Sequence, residues 1–112
     1  MVSEEYRQQI ANLRRKFRER LSADLAGLDR WMGTASPVKS PDALRDLREM
    51  AHRLAGSGAT FGFADISRTA RALECRLDEL LAGNRSLGGD DPELASLIAE
   101  LRSSIDTGSK GS

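Results

Sequence analysis

Residues 44–63, which read LRDLREMAHRLAGSGATFGF, decide the fold and hold the only histidine of the chain, His52. The apolar residues of this stretch recur with the period of an α-helix. On a helical wheel His52 lies roughly 140° from the centre of the apolar face, so we predict that its imidazole points to solvent. The predicted core-facing stripe consists of Leu44, Leu47, Met50, Ala51, Leu54, Gly58 and Phe61.

The neighbours of His52 on the helix surface follow from spacings of three, four and seven residues. They are Arg45, Arg48 and Glu49 before it and Ala55, Gly56 and Ala59 after it. A glycine inside a helix costs about 1 kcal/mol relative to alanine, so two glycines in this helix call for a reason. We predict that Gly58, on the core face, allows another helix to approach closely. Gly56, on the exposed face, leaves room for a partner to approach the imidazole.

Residues 52–63, HRLAGSGATFGF, resemble the signature of histidine-containing phosphotransfer (HPt) domains. The family pattern runs roughly H-x-L-K-G-S/A-small-x-x-hydrophobic-G-hydrophobic and is followed by a helix. One position departs, because Ala55 stands where the family usually has a lysine that is thought to help hold the phosphoryl group. The residues that fit the pattern are His52, Leu54, Gly56, Ser57, Gly58, Phe61, Gly62 and Phe63, followed by Ile66, Ala70, Leu73 and Glu74.

The resemblance implies a function for His52 in a two-component phosphorelay. The imidazole would accept a phosphoryl group, through Nε2, from an aspartyl phosphate on a receiver domain and pass it to another receiver aspartate. The implied partners are response-regulator receiver domains and a hybrid histidine kinase. The chain itself would need no cofactor and would have no autonomous kinase activity, because the receiver domain supplies Mg²⁺.

The residues around His52 offer candidates for holding the phosphoryl group and the ring. With Ala55 in place of the lysine, Arg48 is the first candidate cation, four residues before His52, and Arg45 and Arg53 follow. The alternative is that all three arginines are solvated or paired with Asp46 or Glu49. Glu49 is the candidate for orienting the ring through Nδ1–H.

The rest of the chain predicts an all-α, up-down-up-down antiparallel four-helix bundle over residues 1–107, followed by a disordered tail at 108–112. Ser3 and Ser40 are predicted to cap the first and second helices, and Asp91 the fourth. Loops are predicted at residues 33–41 and 84–92, which are rich in helix-breaking residues. Because the first helix is the longest, we expect it to be the second helix facing the surface around His52.

Composition excludes several other functions. The chain has 112 residues with 17 basic and 17 acidic side chains, so it lacks the positive charge of a general nucleic-acid binder. One cysteine, Cys75, and one histidine permit neither an intramolecular disulfide nor a Cys/His zinc site. No apolar run is long enough for membrane insertion, and the N-terminus does not have the plan of a signal peptide, so we expect a cytoplasmic protein.

Two other functions stay open at the level of sequence. In the first, the bundle is a non-catalytic helical adaptor and His52 is incidental. In the second, the chain is the phospho-accepting domain of a chemotaxis-type histidine kinase, phosphorylated by an ATP-binding domain. Acid-labile, alkali-stable phosphate on the protein would argue against the adaptor.

Overall fold

Four α-helices make up the computed structural model, which describes residues 3–32, 41–83 and 91–110. No strand occurs in these ranges, so the predicted all-α fold is confirmed. Apart from their last positions, the predicted loops at 33–41 and 84–92 lie outside the described residues, as does the predicted cap Ser40. The helices are α1 (Glu4–Met32), α2 (Pro41–Thr60), α3 (Ala64–Ala82) and α4 (Pro92–Lys110).

Two of the helix starts have the predicted caps. The hydroxyl oxygen of Ser3 accepts a hydrogen bond from the backbone N–H of Tyr6 at 3.1 Å. The Asp91 carboxylate accepts one from the backbone N–H of Glu93 at 3.2 Å, and α4 begins at Pro92. Both caps satisfy a backbone donor that has no partner within the helix.

The core is a continuous cluster of leucine, isoleucine and alanine side chains contributed by all four helices. Most of these core side chains belong to α2, α3 and α4, where residues three and four apart share one apolar face of the helix. Their burial against each other stabilises the fold mainly through the removal of apolar surface from water. The core residues are Phe17, Leu21, Leu28, Leu44, Leu47, Ala51, Leu54, Ala55, Ile66, Ala70, Leu73, Leu77, Leu80, Leu94, Ile98, Leu101 and Ile105.

Helices α2 and α3 pack unusually closely at Gly58. A Cβ atom at this position would lie 3.0 Å from the backbone nitrogen of Ser67 and 3.1 Å from the carbonyl oxygen of Phe63. The chain reaches this contact through a tight turn, in which Gly62 has a φ of 83° and the Phe63 N–H donates to the Gly58 carbonyl at 2.7 Å. These are the features of a helix end closed by a left-handed glycine. The predicted close approach at Gly58 is therefore confirmed.

The N-terminal part of α1 departs from the apolar periodicity of its sequence. Spacings of three and four residues put Tyr6 and Leu13 on the same helix face as the buried Phe17, whereas these two side chains are 53% and 46% exposed. The cause is length, because α1 has 29 residues and the other helices have 19 or 20. The additional turns have no equally long helix to pack against.

The C-terminal end of α4 also differs from the prediction. The predicted disordered tail at 108–112 is wrong for residues 108–110, because α4 continues to Lys110. Gly108 packs so tightly that a Cβ atom there would lie 2.9 Å from Ile66 Cδ1 and 3.4 Å from Phe63 Cδ1. Tertiary packing overrides the poor helix propensity of glycine at this position. Residues 111 and 112 lie outside the described part of the chain.

Alanine substitutions at the two glycines of α2 should have opposite effects on stability. Gly58→Ala should lower the free energy of unfolding by about 1–3 kcal/mol, because the new methyl group meets backbone atoms that cannot move independently. Gly56→Ala is the matched control, since nothing lies within 4 Å of a Cβ atom there. It should raise stability by up to about 1 kcal/mol through helix propensity. Urea unfolding followed by circular dichroism measures both, and a Gly58→Ala variant as stable as the wild type would contradict the close packing.

Candidate functional site

His52 lies on the outer surface of α2, and its side chain is 73% exposed. The neighbouring residues Ala51 and Leu54 are fully buried, so the helix presents its apolar face to the core and the imidazole to solvent. The exposure predicted from the helical wheel is confirmed. A rigid helix therefore holds the only imidazole of the chain where a macromolecular partner can reach it.

The imidazole of His52 is held from the side by Glu74 of α3. Its Nδ1 lies 2.8 Å from Oε2 of Glu74, whose side chain is only 17% exposed. An ionised carboxylate can only accept a hydrogen bond, so the neutral ring donates through Nδ1–H and keeps its lone pair on Nε2. Two expectations are corrected here: the orienting carboxylate is Glu74 rather than Glu49, and the helix beside the ring is α3 rather than α1.

Arg48 lies one turn before His52 and is held by two carboxylates of α3. Its guanidinium donates a hydrogen bond to Asp78, and its Nη2 is 3.8 Å from Oε2 of Glu74. The hydrogen bond to Asp78 raises the pKa of the Arg48 guanidinium above its ordinary value. Arg48 is thus close to the ring, and its positive charge already faces two carboxylates.

The other two candidate arginines point away from the imidazole. Arg45 pairs with Asp42 at 3.0 Å in the first turn of α2. Arg53 pairs at 3.2 Å with Asp24 of α1, a carboxyl whose pKa is raised by burial despite the nearby guanidinium. The paired carboxylates are therefore Asp42 of the same helix and Asp24 of α1, rather than the expected Asp46 or Glu49.

Of the three predicted surface neighbours that follow His52, two are exposed and one is buried. Gly56 and Ala59 are exposed, and no atom lies within 4 Å of a Cβ placed on Gly56. Ala55 is buried, with 4% of its surface exposed, and its carbonyl oxygen accepts a hydrogen bond of 2.7 Å from the Ser67 hydroxyl. The expectation that Ala55 lines the exposed surface is wrong, because α3 packs over this side of α2.

Sequence reasoning assigned no role at the site to any residue of α3, although Glu74 fits the family pattern. Ser67, Glu74 and Asp78 contact Ala55, His52 and Arg48 respectively. They lie seven and four residues apart, so they share one face of α3 beside its core stripe. This spacing in the sequence indicates that the three residues share a helix face, although it does not show which residue of α2 each one contacts.

Other kinds of site find no support in the described residues. Within them, no group of three or more His, Cys, Asp and Glu side chains could hold a metal ion. None of the helices there has the length and apolar character needed to cross a membrane. Cys75 is a free, exposed thiol on α3.

Comparison with known proteins identifies the family. A family model described as Hpt domain matches residues 12–106, which include all of α2 and α3 and every residue of the His52 site. The chain therefore belongs to the Hpt domain family, whose members carry phosphoryl groups in phosphorelays and are not themselves kinases. Searches of curated proteins and of solved structures found no match.

The contact between His52 and Glu74 predicts which ring nitrogen carries the proton in the neutral imidazole. The wild-type ring should be mainly the Nδ1–H tautomer, because the carboxylate accepts from that nitrogen. Glu74→Ala should shift the population toward the Nε2–H tautomer. The ¹⁵N chemical shifts of the ring, correlated with its carbon-bound protons by NMR, measure the two populations.

Glu49→Ala is the matched control for this measurement. Glu49 is also close to His52 on α2, but the carboxylate within hydrogen-bonding distance of the ring belongs to Glu74. The control should therefore leave the tautomer populations unchanged. A wild-type ring that is mainly protonated on Nε2 would contradict the proposed role of Glu74.

Proposed function

We propose that His52 accepts a phosphoryl group from an aspartyl phosphate of a receiver domain and passes it to the aspartate of another receiver. The observation that carries this proposal is the exposed imidazole held through Nδ1 by Glu74. This contact leaves Nε2 as the nucleophilic atom on the solvent side. Membership of the Hpt domain family supports the same chemistry.

The transfer step balances without a proton donor from this chain. The Nε2 lone pair attacks phosphorus, a nitrogen–phosphorus bond forms, and the bond between phosphorus and the aspartyl oxygen breaks. The receiver carboxylate leaves with the electron pair of that bond. The imidazole keeps its Nδ1 proton, and Glu74 stabilises the positive charge that develops on the ring. Transfer to the next receiver is the reverse step with a new carboxylate as nucleophile.

The surface beside His52 supports docking of a folded partner rather than capture of a small molecule. Gly56 and Ala59 present almost no side chain, so a receiver can bring its aspartyl phosphate close to the imidazole. We place Mg²⁺ on the receiver, where it would neutralise the transferring phosphoryl group. The bundle supplies position and orientation, which account for much of the catalysis of phosphoryl transfer.

The bundle itself is suited to presenting a residue rigidly. Arg53 of α2 contacts Asp24 of α1, and Phe17 of α1 packs against Phe61, just after α2, with ring centroids 5.5 Å apart. This order of contacts supports an antiparallel arrangement of α1 and α2. The contacts of α2 with α3 have the same antiparallel order. These contacts support the up-down-up-down arrangement. We further propose that the donor receiver belongs to a hybrid histidine kinase and that the relay operates in the cytoplasm.

A receiver domain labelled with ³²P on its aspartate tests the proposal directly. In the presence of Mg²⁺ it should label the wild-type chain and leave His52→Gln unlabelled, because glutamine lacks the nucleophilic imidazole nitrogen. The phosphate should be acid-labile and stable to alkali. Equal labelling of both proteins would refute the role of His52, and absence of label from both with every receiver of the source cell would favour an adaptor.

A second variant separates docking from chemistry in the same experiment. Gly56→Leu adds a bulky side chain next to the imidazole without removing the nucleophile, so transfer from the receiver should fall at least about ten-fold. Direct phosphorylation of His52 by the small donor phosphoramidate should continue. Ala99→Leu, on the exposed surface of α4, is the control and should transfer at the wild-type rate. Wild-type transfer by Gly56→Leu would show that the receiver does not approach over this surface.

A further inference from the structure

Phosphorylation of His52 would place a second negatively charged group beside the imidazole. A phosphoryl group brings a charge of about −1.5 to −2 near neutral pH. Glu74 already places a carboxylate 2.8 Å from Nδ1 of the same ring. The carboxylate of Glu74 and a phosphoryl group on Nε2 are like charges on either side of one ring, so they repel each other. A cation that faces the phosphoryl group would therefore stabilise the phosphorylated state.

Arg48 is poorly placed to supply that positive charge. It is hydrogen-bonded to Asp78 and also lies near Glu74, so one guanidinium already faces two carboxylates. Turning it toward a phosphoryl group would leave Asp78 without this partner. Arg45 and Arg53 are paired with Asp42 and Asp24, away from the ring.

The contacts between α2 and α3 place another arginine next to the site. Ser67 contacts the Ala55 carbonyl and Glu74 contacts His52, so residue numbers rise along α2 as they fall along α3. Arg71 lies between Ser67 and Glu74 on α3. It therefore stands opposite the part of α2 between His52 and Ala55, about one helical turn from the carboxylate that holds the imidazole.

Arg71 differs from Arg45, Arg48 and Arg53, each of which forms an ion pair. Its side chain is exposed, and within the described residues it makes no hydrogen bond or ion pair. It lines a shallow groove together with Ala59, on the open surface that follows His52. Ala55 is small and buried, so this position of α2 projects no long side chain toward the space between Arg71 and the imidazole.

We propose that Arg71 is the cation that binds the phosphoryl group on Nε2 of His52. The inference rests on the proposed phosphorylation of His52 and adds a second helix to the phosphoryl-binding site. A guanidinium can donate two parallel hydrogen bonds to phosphoryl oxygens, which suits this role. The positive charge that α2 lacks at Ala55 is thus supplied by Arg71 of α3.

Three variants test the role of Arg71. Arg71→Gln removes the charge and keeps much of the side-chain length, while Arg71→Lys keeps the charge. Arg68→Gln is the matched control, since Arg68 is an exposed arginine in the same groove whose nearest acidic partner is Asp65 at 3.9 Å. Each protein is phosphorylated on His52 with phosphoramidate, so that no receiver is needed.

The first measurement is the ³¹P chemical shift of the phosphohistidine as a function of pH. A nearby guanidinium favours the dianion, so Arg71→Gln should raise the pKa of the phosphoryl group. Arg71→Lys should restore most of the difference, and Arg68→Gln should match the wild type. A merely structural role of Arg71 would not move this value.

The second measurement is the rate of transfer from a labelled receiver in the presence of Mg²⁺. Arg71→Gln should transfer about ten-fold more slowly, the ratio that about 1.4 kcal/mol of lost charge-assisted hydrogen bonding gives. The inference is overturned if Arg71→Gln matches Arg68→Gln in both the phosphoryl pKa and the transfer rate. That result would leave the proposed function intact, whereas labelling of His52→Gln would remove the function itself.

Discussion

The close contact between α2 and α3 at Gly58 is the constraint on which the site depends. Because no Cβ atom separates Gly58 from the backbone of Ser67, the two helices approach closely enough for their surface residues to meet. Glu74 then reaches the imidazole of His52, and Asp78 reaches Arg48. The same contact buries Ala55. A small residue in the core therefore determines which groups surround an exposed histidine.

The two sides of the imidazole face different environments. Nδ1 faces a largely buried carboxylate on the neighbouring helix, whereas the ring as a whole is exposed to solvent. In the proposed reaction, Nδ1 positions the ring and Nε2 reacts. A receiver brings both the phosphoryl group and the metal ion in that reaction, so the main task of this chain is to present Nε2.

The all-α fold and the exposed position of His52 could be predicted from the sequence because they depend on local periodicity. The apolar pattern places His52 outside and Gly58 inside, and it gives the helix starts at Ser3 and Asp91. The role of Glu74 could not be assigned in this way, since a helical wheel describes one helix and not its neighbour. Ala55 and Gly108 were misjudged for the same reason: Ala55 is buried against α3, and Gly108 packs against the side chains of Ile66 and Phe63.

The most direct test of phosphoryl transfer to His52 locates the phosphorus on the ring. A uniformly ¹⁵N-labelled chain, phosphorylated by a receiver aspartyl phosphate and Mg²⁺, would be studied by NMR for coupling between ³¹P and the imidazole nitrogens. We predict a single phosphohistidine with phosphorus bonded to Nε2 of His52, the nitrogen that Glu74 leaves free. Phosphorus bonded to Nδ1, or found on any other residue, would contradict the assignment of both nitrogens.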